Sequence, residues 1–252
     1  MSRYLFFEIT ESDQRSTVKY TKKTVQKSFL PLINNIVKQY EKSETKPYIL
    51  AVAGPPGCGK SAISSLFEFL LEEQGIDTYV LPLDGFHFKN DELKKMKAIH
   101  QDSPITLYER KGSKETYRVS HLIDLMKKLY QGENLSWPLY SRSTHNPVEK
   151  GMFINNNNAI YMVEGNYLLL DSRPWSDLRK YFNKKIFISS KKRFLKKRII
   201  QRKQKGGFSR AYAKMHYRDC DSKNIDEVLG FSSGYNFLLT QRGAYRYTLS
   251  GL

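Results

Sequence analysis

The chain has 252 residues, and its 42 Lys+Arg against 25 Asp+Glu give a formal net charge of +17. This length can bury a full core, a hydrophobic fraction of 40% argues against extended disorder, and no apolar run approaches the length of a membrane span. With only two cysteines, one of them inside a glycine-rich loop, and no signal-peptide pattern, we expect a reducing, cytoplasmic setting and no membrane association.

Apolar periodicity predicts helices and short buried strands in alternation. The first helix is predicted over residues 21–41, where apolar side chains recur at helical spacing. The later predictions are strands over 48–52, 78–83, 159–163 and 185–188, helices over 62–74 and 121–130, and a basic helix over 191–205. Four asparagines at 155–158 predict a turn before the third strand. For the aromatic segment 231–252 we expect edge strands or packing against the first helix.

Short buried strands that alternate with helices are typical of a parallel sheet with helices on both faces, which is an α/β fold. Three of the predicted strands lead directly into Gly54, Asp84 and Glu164. Because the carboxyl ends of parallel strands share one edge of the sheet, these residues are expected to lie close together.

Residues 54–61, GPPGCGKS, match the phosphate-binding loop pattern G-x-x-x-x-G-K-[ST] without a mismatch, between a predicted strand and a predicted helix. The glycines let backbone N–H groups turn inward around an anion at the helix N-terminus. Lys60 would hold the β- and γ-phosphates of ATP, and the Ser61 hydroxyl would bind Mg²⁺. The predicted ATP-binding residues are Gly54, Pro55, Pro56, Gly57, Cys58, Gly59, Lys60, Ser61 and Ala62. Cys58 could be a redox switch, but we interpret it as a small residue that fits the loop.

Residues 84–87, DGFH, place an aspartate at a strand end, before an aromatic residue and a histidine. Transfer of a phosphoryl group to a hydroxyl needs a carboxylate that takes or orients the proton, and Asp84 is placed for this. It could instead cap the next helix, although Asp91 lies closer to that helix. His87 could contact the acceptor or form part of the pocket wall.

These motifs occur together with RKGSKETY at 110–117, PLYSR at 138–142 and VEGNYLLLD at 163–171. The set resembles the P-loop small-molecule kinases of the uridine kinase, phosphoribulokinase and pantothenate kinase family, in its nucleoside kinase-like or fructose kinase-like branch. The resemblance covers residues 47–228. It implies the P-loop NTPase fold, a lid helix, a substrate-side insert, and ATP and Mg²⁺ as cofactors.

The resemblance also assigns roles to the acidic residues at the strand ends. Asp84 would be the catalytic base, close enough to contribute to the metal site, and Glu164 would hold Mg²⁺ directly or through water. Asn166 would lie in the acceptor pocket or shape the turn after Gly165.

Arg110, Tyr140 and Arg142 belong to the motifs of the insert and are predicted to bind the acceptor. The alternative for the two arginines is a surface position at turns. Lys114 and Arg118 add positive charge around the ETY motif, which mildly favours an anionic acceptor over a neutral one.

Arg198 and Arg202 stand four residues apart on the basic helix, before Gly206 and Gly207. The matching segment of the family is a lid whose arginines close over the transferred phosphate, so both are predicted to be catalytic. A solvated basic face and a nucleic-acid surface are the alternatives for this cluster. Asn224 is predicted to lie near the adenine, by the same resemblance.

The predicted organisation is one kinase domain over 1–252, with a helical lead-in at 1–46, a substrate-side insert at 90–157 and a lid at 191–210. The favoured function is transfer of the ATP γ-phosphate to a hydroxyl of a small metabolite, such as a nucleoside, a sugar such as fructose, or pantothenate. The alternatives are a basic P-loop NTPase acting on nucleic acid, which is disfavoured, and a degenerate kinase that serves as an interaction module. A homodimer is compatible with the sequence.

Overall fold

The fold was obtained as a computed structural model, which describes residues 2–11, 14–44, 47–100, 103–155 and 158–251. The turn predicted at the four asparagines therefore lies partly outside the described residues, at 156 and 157. Within the described part of the chain, no helix has the length and apolar character needed to cross a membrane.

A six-stranded sheet forms the centre of the fold. The strands in chain order are β1 (Tyr4–Glu11), β2 (Gln14–Thr21), β3 (Tyr48–Ala53), β4 (Thr78–Pro82), β5 (Lys97–His100), β6 (Ser103–Thr106), β7 (Leu135–Ser141), β8 (Asn146–Ile154), β9 (Ile160–Gly165), β10 (Lys184–Ser189), β11 (Phe237–Gly243) and β12 (Arg246–Ser250). The central sheet has the order β12-β11-β10-β3-β9-β4. Its strands are parallel except for β12, which pairs antiparallel with β11 at the edge. This confirms the predicted α/β class.

The helices cover both faces of this sheet. They are α1 (Lys22–Thr24), α2 (Leu30–Glu41), α3 (Lys60–Glu72), α4 (Asn90–Lys95), α5 (Val119–Tyr130), α6 (Lys192–Lys205), α7 (Arg210–His216) and α8 (Ser222–Phe231). A π-helical turn over Val25–Phe29 joins α1 to α2, so the helix predicted over 21–41 is continuous from residue 22 to residue 41.

Alternation along the central strands divides the core into two clusters. In β3, Ile49 and Ala51 belong to one cluster, together with α5 and Trp137, whereas Leu50 and Val52 belong to the other. The second cluster also contains apolar residues of α2, α3, α6 and β12. Because β3 is buried on both faces, its sequence is uniformly apolar rather than alternating.

The lead-in at 1–46 is only partly helical. Strands β1 and β2 form an antiparallel hairpin before the helix begins at Lys22, and this hairpin was not predicted. Its strands mix polar and apolar residues, and on one side Ile9 and Tyr20 join the core. At the other end of the chain, β12 is an edge strand and also packs on the first helix, where the ring of Tyr247 lies 5.8 Å from that of Phe29. Both expectations for residues 231–252 are therefore met.

The start of α4 corrects one detail of the sequence analysis. Neither Asp84 nor Asp91 caps this helix: the N-cap is Lys89, whose backbone N–H donates to Glu92 Oε2 at 2.7 Å. Asp91 lies inside the first turn. Asp84 is therefore not explained by helix capping.

Gly85 occupies a position where a larger side chain would clash with the backbone of a neighbouring strand. Gly85 follows β4, and a Cβ added there would be 1.9 Å from the carbonyl oxygen of Pro138 on β7. This close approach fixes the position of the β7–β8 hairpin relative to the end of β4.

We predict that Gly85→Ala lowers the free energy of unfolding by about 1–3 kcal/mol, because the backbone must shift to relieve overpacking. Gly230→Ala is the control, since Gly230 lies in α8 with no atom within 4 Å of an added Cβ. Chemical denaturation of both variants measures the effect. Equal stability of the Gly85→Ala variant and the wild-type protein would contradict this packing.

Candidate active site

The loop between β3 and α3 has the conformation that a phosphate-binding nest requires. Gly57 and Gly59 have φ angles of +78° and +90°, which side-chain-bearing residues rarely adopt. Helix α3 begins at Lys60, and its first turn closes with a 3.0 Å hydrogen bond from the Ile63 N–H to the Gly59 carbonyl. Inward N–H groups at a helix N-terminus form an anion site, so the loop fits the phosphates of a nucleotide.

Two backbone carbonyl groups of this loop accept hydrogen bonds from side chains in the C-terminal third of the chain. Arg198 on α6 donates to the Gly57 and Cys58 carbonyl oxygens, both at 3.2 Å. The hydroxyl of buried Tyr247 on β12 donates to the same Cys58 oxygen at 3.1 Å. Arg198 also donates to Gln241 Oε1 at 3.3 Å and to the Ala244 carbonyl at 3.0 Å. The conformation of the loop is therefore stabilised by hydrogen bonds from two side chains, Arg198 and Tyr247, that are distant from it in sequence.

The two predicted metal-binding residues of the loop and β9 lie together. Ser61 Oγ donates to Glu164 Oε1 at 3.2 Å, and Glu164 is buried at the end of β9. The parallel register pairs Glu164 with Val52 on one side and with Pro82 on the other. The sheet thus brings a hydroxyl and a carboxylate to the loop, which suits Mg²⁺ because this ion is usually held by few protein oxygens together with phosphates and water.

Asp84 lies at the same edge of the sheet, exposed, just beyond β4. The hydroxyl of Tyr117 donates a 3.2 Å hydrogen bond to Asp84 Oδ1. Burial, followed by the nearby charge of Asp84, raises the pKa of Tyr117 well above its ordinary value, so the phenol remains a donor. One carboxylate oxygen is thereby held in place by a neutral group.

His87 belongs to a group of aromatic side chains beside Asp84, with Tyr117 and Tyr140, which we call the aromatic wall. Its ring stacks on Tyr117 at a centroid distance of 3.8 Å, and Nδ1 lies 3.1 Å from both the carbonyl and the hydroxyl oxygen of Thr116. The ring of Tyr140 meets it edge-on at 5.9 Å. Burial lowers the pKa of His87 to about 4, and only part of this effect is offset by Asp84, so the imidazole is neutral at physiological pH.

Lys111 supplies a cation to this wall. Its Nζ donates to Asn90 Oδ1 at 2.6 Å and to the His145 carbonyl at 2.7 Å, and it lies 5.1 Å from the centre of the Tyr140 ring. Burial lowers the pKa of Lys111 to about 8, against the opposing effect of the Asp84 charge. The ammonium group therefore changes charge near pH 8.

The remaining predicted acceptor residues occupy different environments. Asn166 is half-buried just after β9, and its Oδ1 is buried without a hydrogen-bond partner in the described structure. Arg110 is half-buried, with its Nε likewise unpartnered among the described residues. Arg142, in contrast, is exposed in the turn between β7 and β8. Asn166 and Arg110 thus each have a buried polar atom without a partner among the described residues.

Three further predicted nucleotide-site residues are placed as follows. Arg202 is exposed one helical turn beyond Arg198. Asn224 is 3% exposed on α8, and its Nδ2 lies 3.6 Å from Cys220 Sγ, so this conformation does not present its amide to a ligand. Cys58 is fully buried, and burial raises the pKa of its thiol, so it is a packed loop residue rather than a reactive one.

Two basic residues of the insert have acidic neighbours. Lys114 forms an ion pair with Glu227, and Arg118 lies 3.5 Å from Glu149. Arg118 also has Nε and one terminal nitrogen buried without a hydrogen-bond partner among the described residues. The mild preference for an anionic acceptor therefore stays a prediction.

Sequence reasoning assigned no role to Tyr117 or Tyr247. Tyr117 belongs to the ETY motif, but its contact with Asp84, 33 residues away, depends on the fold and has no signal in the sequence. No local signal identifies Tyr247, because its contact with Cys58 depends on how β12 pairs at the far edge of the sheet.

The fold and the loop define a P-loop kinase, and comparison with known proteins agrees. The profile of the phosphoribulokinase/uridine kinase family matches residues 49–217. Escherichia coli YggC, an uncharacterized protein, is 30% identical over 247 residues, covering 96% of this chain and 98% of its own length. A Schizosaccharomyces pombe protein with a proposed uridine kinase activity is 30% identical over 61% of this chain and 65% of its own length.

A solved structure from Silicibacter sp., described as a proposed fructose transport system kinase, superposes with a TM-score of 0.74. It is 25% identical and covers 85% of this chain and 98% of its own. The chain therefore belongs to the phosphoribulokinase/uridine kinase family, and it is a small-molecule kinase that phosphorylates an alcohol group.

We predict that Tyr247→Phe weakens ATP binding and destabilises the fold by about 0.5–1.5 kcal/mol, because one hydrogen bond to the Cys58 carbonyl is lost while the bond from Arg198 remains. Tyr245→Phe is the matched control on the same hairpin, since Tyr245 is 39% exposed. Denaturation and ATP titration of both variants provide the test. If the two variants behave alike, Tyr247 does not support the loop.

We predict that the protein loses stability as the pH falls from about 6.5 to about 4, in part because His87 takes up a proton in the unfolded chain before it does in the folded one. The slope due to His87 approaches about 1.4 kcal/mol per pH unit in that window. His87→Gln should remove this contribution, and the difference in stability between variant and wild type should be constant above pH 7. A difference that is independent of pH throughout would contradict the buried, neutral imidazole.

Proposed function

We propose that this kinase transfers the γ-phosphate of ATP, as its Mg²⁺ complex, to a hydroxyl group of a small metabolite. The observation that supports this most strongly is the shared sheet edge. The phosphate loop follows β3, the Ser61–Glu164 pair lies at 3.2 Å, and Asp84 follows β4 on the other side of β9. A nucleotide site and a candidate base thus adjoin along one edge.

In this proposal, Asp84 accepts the proton of the acceptor hydroxyl as its oxygen bonds to the γ-phosphorus. The bond from that phosphorus to the β,γ-bridging oxygen breaks, and ADP leaves with the electron pair. The proton on Asp84 then passes to solvent. Tyr117 fixes one oxygen of Asp84 by its hydrogen bond, which leaves the other oxygen for the substrate.

The loop and its neighbours serve the phosphates. Backbone N–H groups of residues 57–61 and the Lys60 ammonium group bind the phosphate oxygens, and Ser61 and Glu164 hold the metal. Mg²⁺ supplies neutralisation of the charge that accumulates on the phosphates. Asp84 remains the third candidate for the metal site.

We assign different tasks to the two arginines of α6. The guanidinium N–H groups of Arg198 donate hydrogen bonds to the loop carbonyls and to Gln241. We therefore assign Arg198 to support of the loop rather than to closure over the substrate. Arg202 is exposed and remains the candidate for contact with the transferred phosphate when the segment 191–210 closes.

The acceptor is bound on the side of Asp84 where His87, Tyr117 and Tyr140 form an aromatic wall. Lys111, Arg110 and Asn166 provide polar groups there or nearby. Names of relatives support a nucleoside such as uridine, a sugar such as fructose, or pantothenate as the acceptor. We place the reaction in the cytoplasm, which suits the two free, buried cysteines.

An ADP-release screen tests the proposal. Purified protein with ATP and Mg²⁺ is offered nucleosides, sugars, pantothenate and related vitamins, with single-stranded RNA and DNA as further arms. Release of ADP that depends on one acceptor class identifies the substrate. Release stimulated by nucleic acid alone would overturn the proposal.

We predict that Asp84→Asn keeps ATP affinity and lowers kcat by about 10²–10⁴-fold, because the amide cannot accept the proton. Asp91→Asn is the control, since Asp91 is an exposed carboxylate seven residues away in α4. Steady-state kinetics with the acceptor found in the screen measure the effect. Unchanged turnover of the Asp84→Asn variant would exclude Asp84 as the base.

A further inference from the structure

A cavity of about 590 Å³ lies between the first helix and the C-terminal hairpin, away from the acceptor wall. Residues of α1, the π-helical turn after it, and β12 line it, together with Arg3 at the start of the chain. The residues of the phosphate loop, Asp84 and Glu164 are not among its lining. Its volume falls in the range of small-molecule sites, about 300–1,000 Å³.

The charged residues of this cavity all carry the same sign. Its lining includes Arg3, Lys22, Lys23, Lys27 and Arg246. Among the described residues of the lining, none is Asp or Glu. Nor does any of the five cations form an ion pair with another described residue, in contrast to Lys114 and Arg118 of the insert. Five cations around one concave surface repel each other and concentrate anions from solution.

The frame of the cavity is fixed by hydrogen bonds that do not use these cations. Thr21 and Thr24 bond to each other through their hydroxyls at 2.9 Å, and Ser28 Oγ donates to the Tyr247 carbonyl at 3.1 Å. The Tyr247 N–H donates to Thr24 Oγ1 at 3.1 Å. The polar frame is therefore satisfied within the protein, and the Lys and Arg donors remain for a ligand.

The chemistry of the lining indicates the class of ligand. Lys and Arg side chains with several free donors match phosphate oxygens, and a cavity of 590 Å³ is large enough for a nucleotide-sized molecule. A concave site of this kind suits a compact anion better than an extended nucleic-acid strand. We propose that this cavity is a second anion site, which binds a phosphate-bearing small molecule outside the ATP site.

Binding of inorganic pyrophosphate tests this site independently of kinase activity. The Lys60→Ala variant removes a phosphate ligand of the ATP site, and calorimetry at low salt then measures the remaining binding. We expect pyrophosphate to bind this variant. Adding Lys23→Glu and Lys27→Glu should weaken binding at least about tenfold, because two attractions become repulsions.

Two further variants make the result specific. Lys38→Glu, an exposed lysine farther along the same helix and outside the cavity, should leave pyrophosphate affinity within about twofold, a change under 0.5 kcal/mol. Arg246→Glu, on the β12 side of the cavity, should weaken binding as the lysine pair does. Thermal melts show whether each variant is folded.

Several outcomes would overturn the proposal. The first is a Lys60→Ala protein that does not bind pyrophosphate. A second is equal loss of affinity in the Lys38→Glu variant, which would mean that only the overall charge attracts the anion. Binding of a single-stranded RNA that depends on Lys23 and Lys27, without binding of pyrophosphate, would instead make this surface a nucleic-acid site.

Discussion

A loop that turns its N–H groups inward around phosphate must turn carbonyl groups outward, and these need donors of their own. In this kinase, Arg198 and Tyr247 donate to the carbonyls of Gly57 and Cys58. Both come from the C-terminal third of the chain, far from the loop in sequence. The loop conformation therefore depends on the whole sheet, because Tyr247 reaches it only when β12 pairs with β11 at the edge.

The same contacts determine which part of the basic helix can move. Leu195 and Ile199 are buried in the core. Ile199 lies so close to the loop that a Cβ added to Gly57 would be 3.0 Å from Ile199 Cγ1. Because Arg198 is also hydrogen-bonded to the loop, the N-terminal half of α6 is fixed against the phosphate loop. The proposed lid movement would therefore involve residues 200–207, which are mostly exposed and include Gly206 and Gly207. Support of the loop and the proposed contact with the phosphate thus fall on different parts of one helix.

The motifs, the strand ends and the pairing of Ser61 with Glu164 could be predicted from sequence because each depends on local pattern and on the shared edge of parallel strands. The N-terminal hairpin was not predicted. Apolar residues do recur at every second position of its strands, as Leu5, Phe7 and Ile9 in β1 and Val18 and Tyr20 in β2, but exposed Phe6 obscures the alternation in β1. The acidic neighbours of Lys114 and Arg118 could not be predicted either. Glu227 and Glu149 are distant in sequence, and only the fold brings them close.

Burial also determines what kind of site surrounds Asp84. It keeps His87 neutral and Tyr117 protonated, so both present hydrogen-bonding groups without charge next to the carboxylate. In the proposed reaction, an imidazolium in the same position would compete with the acceptor hydroxyl for the Asp84 carboxylate. Lys111 is the charged group beside them. Burial lowers its pKa to about 8, so these surroundings stabilise the ammonium group only weakly. Burial thus surrounds the Asp84 carboxylate with neutral hydrogen-bonding groups and aromatic rings, with Lys111 as the cation nearby, and an acceptor in the proposed position would meet this mixture.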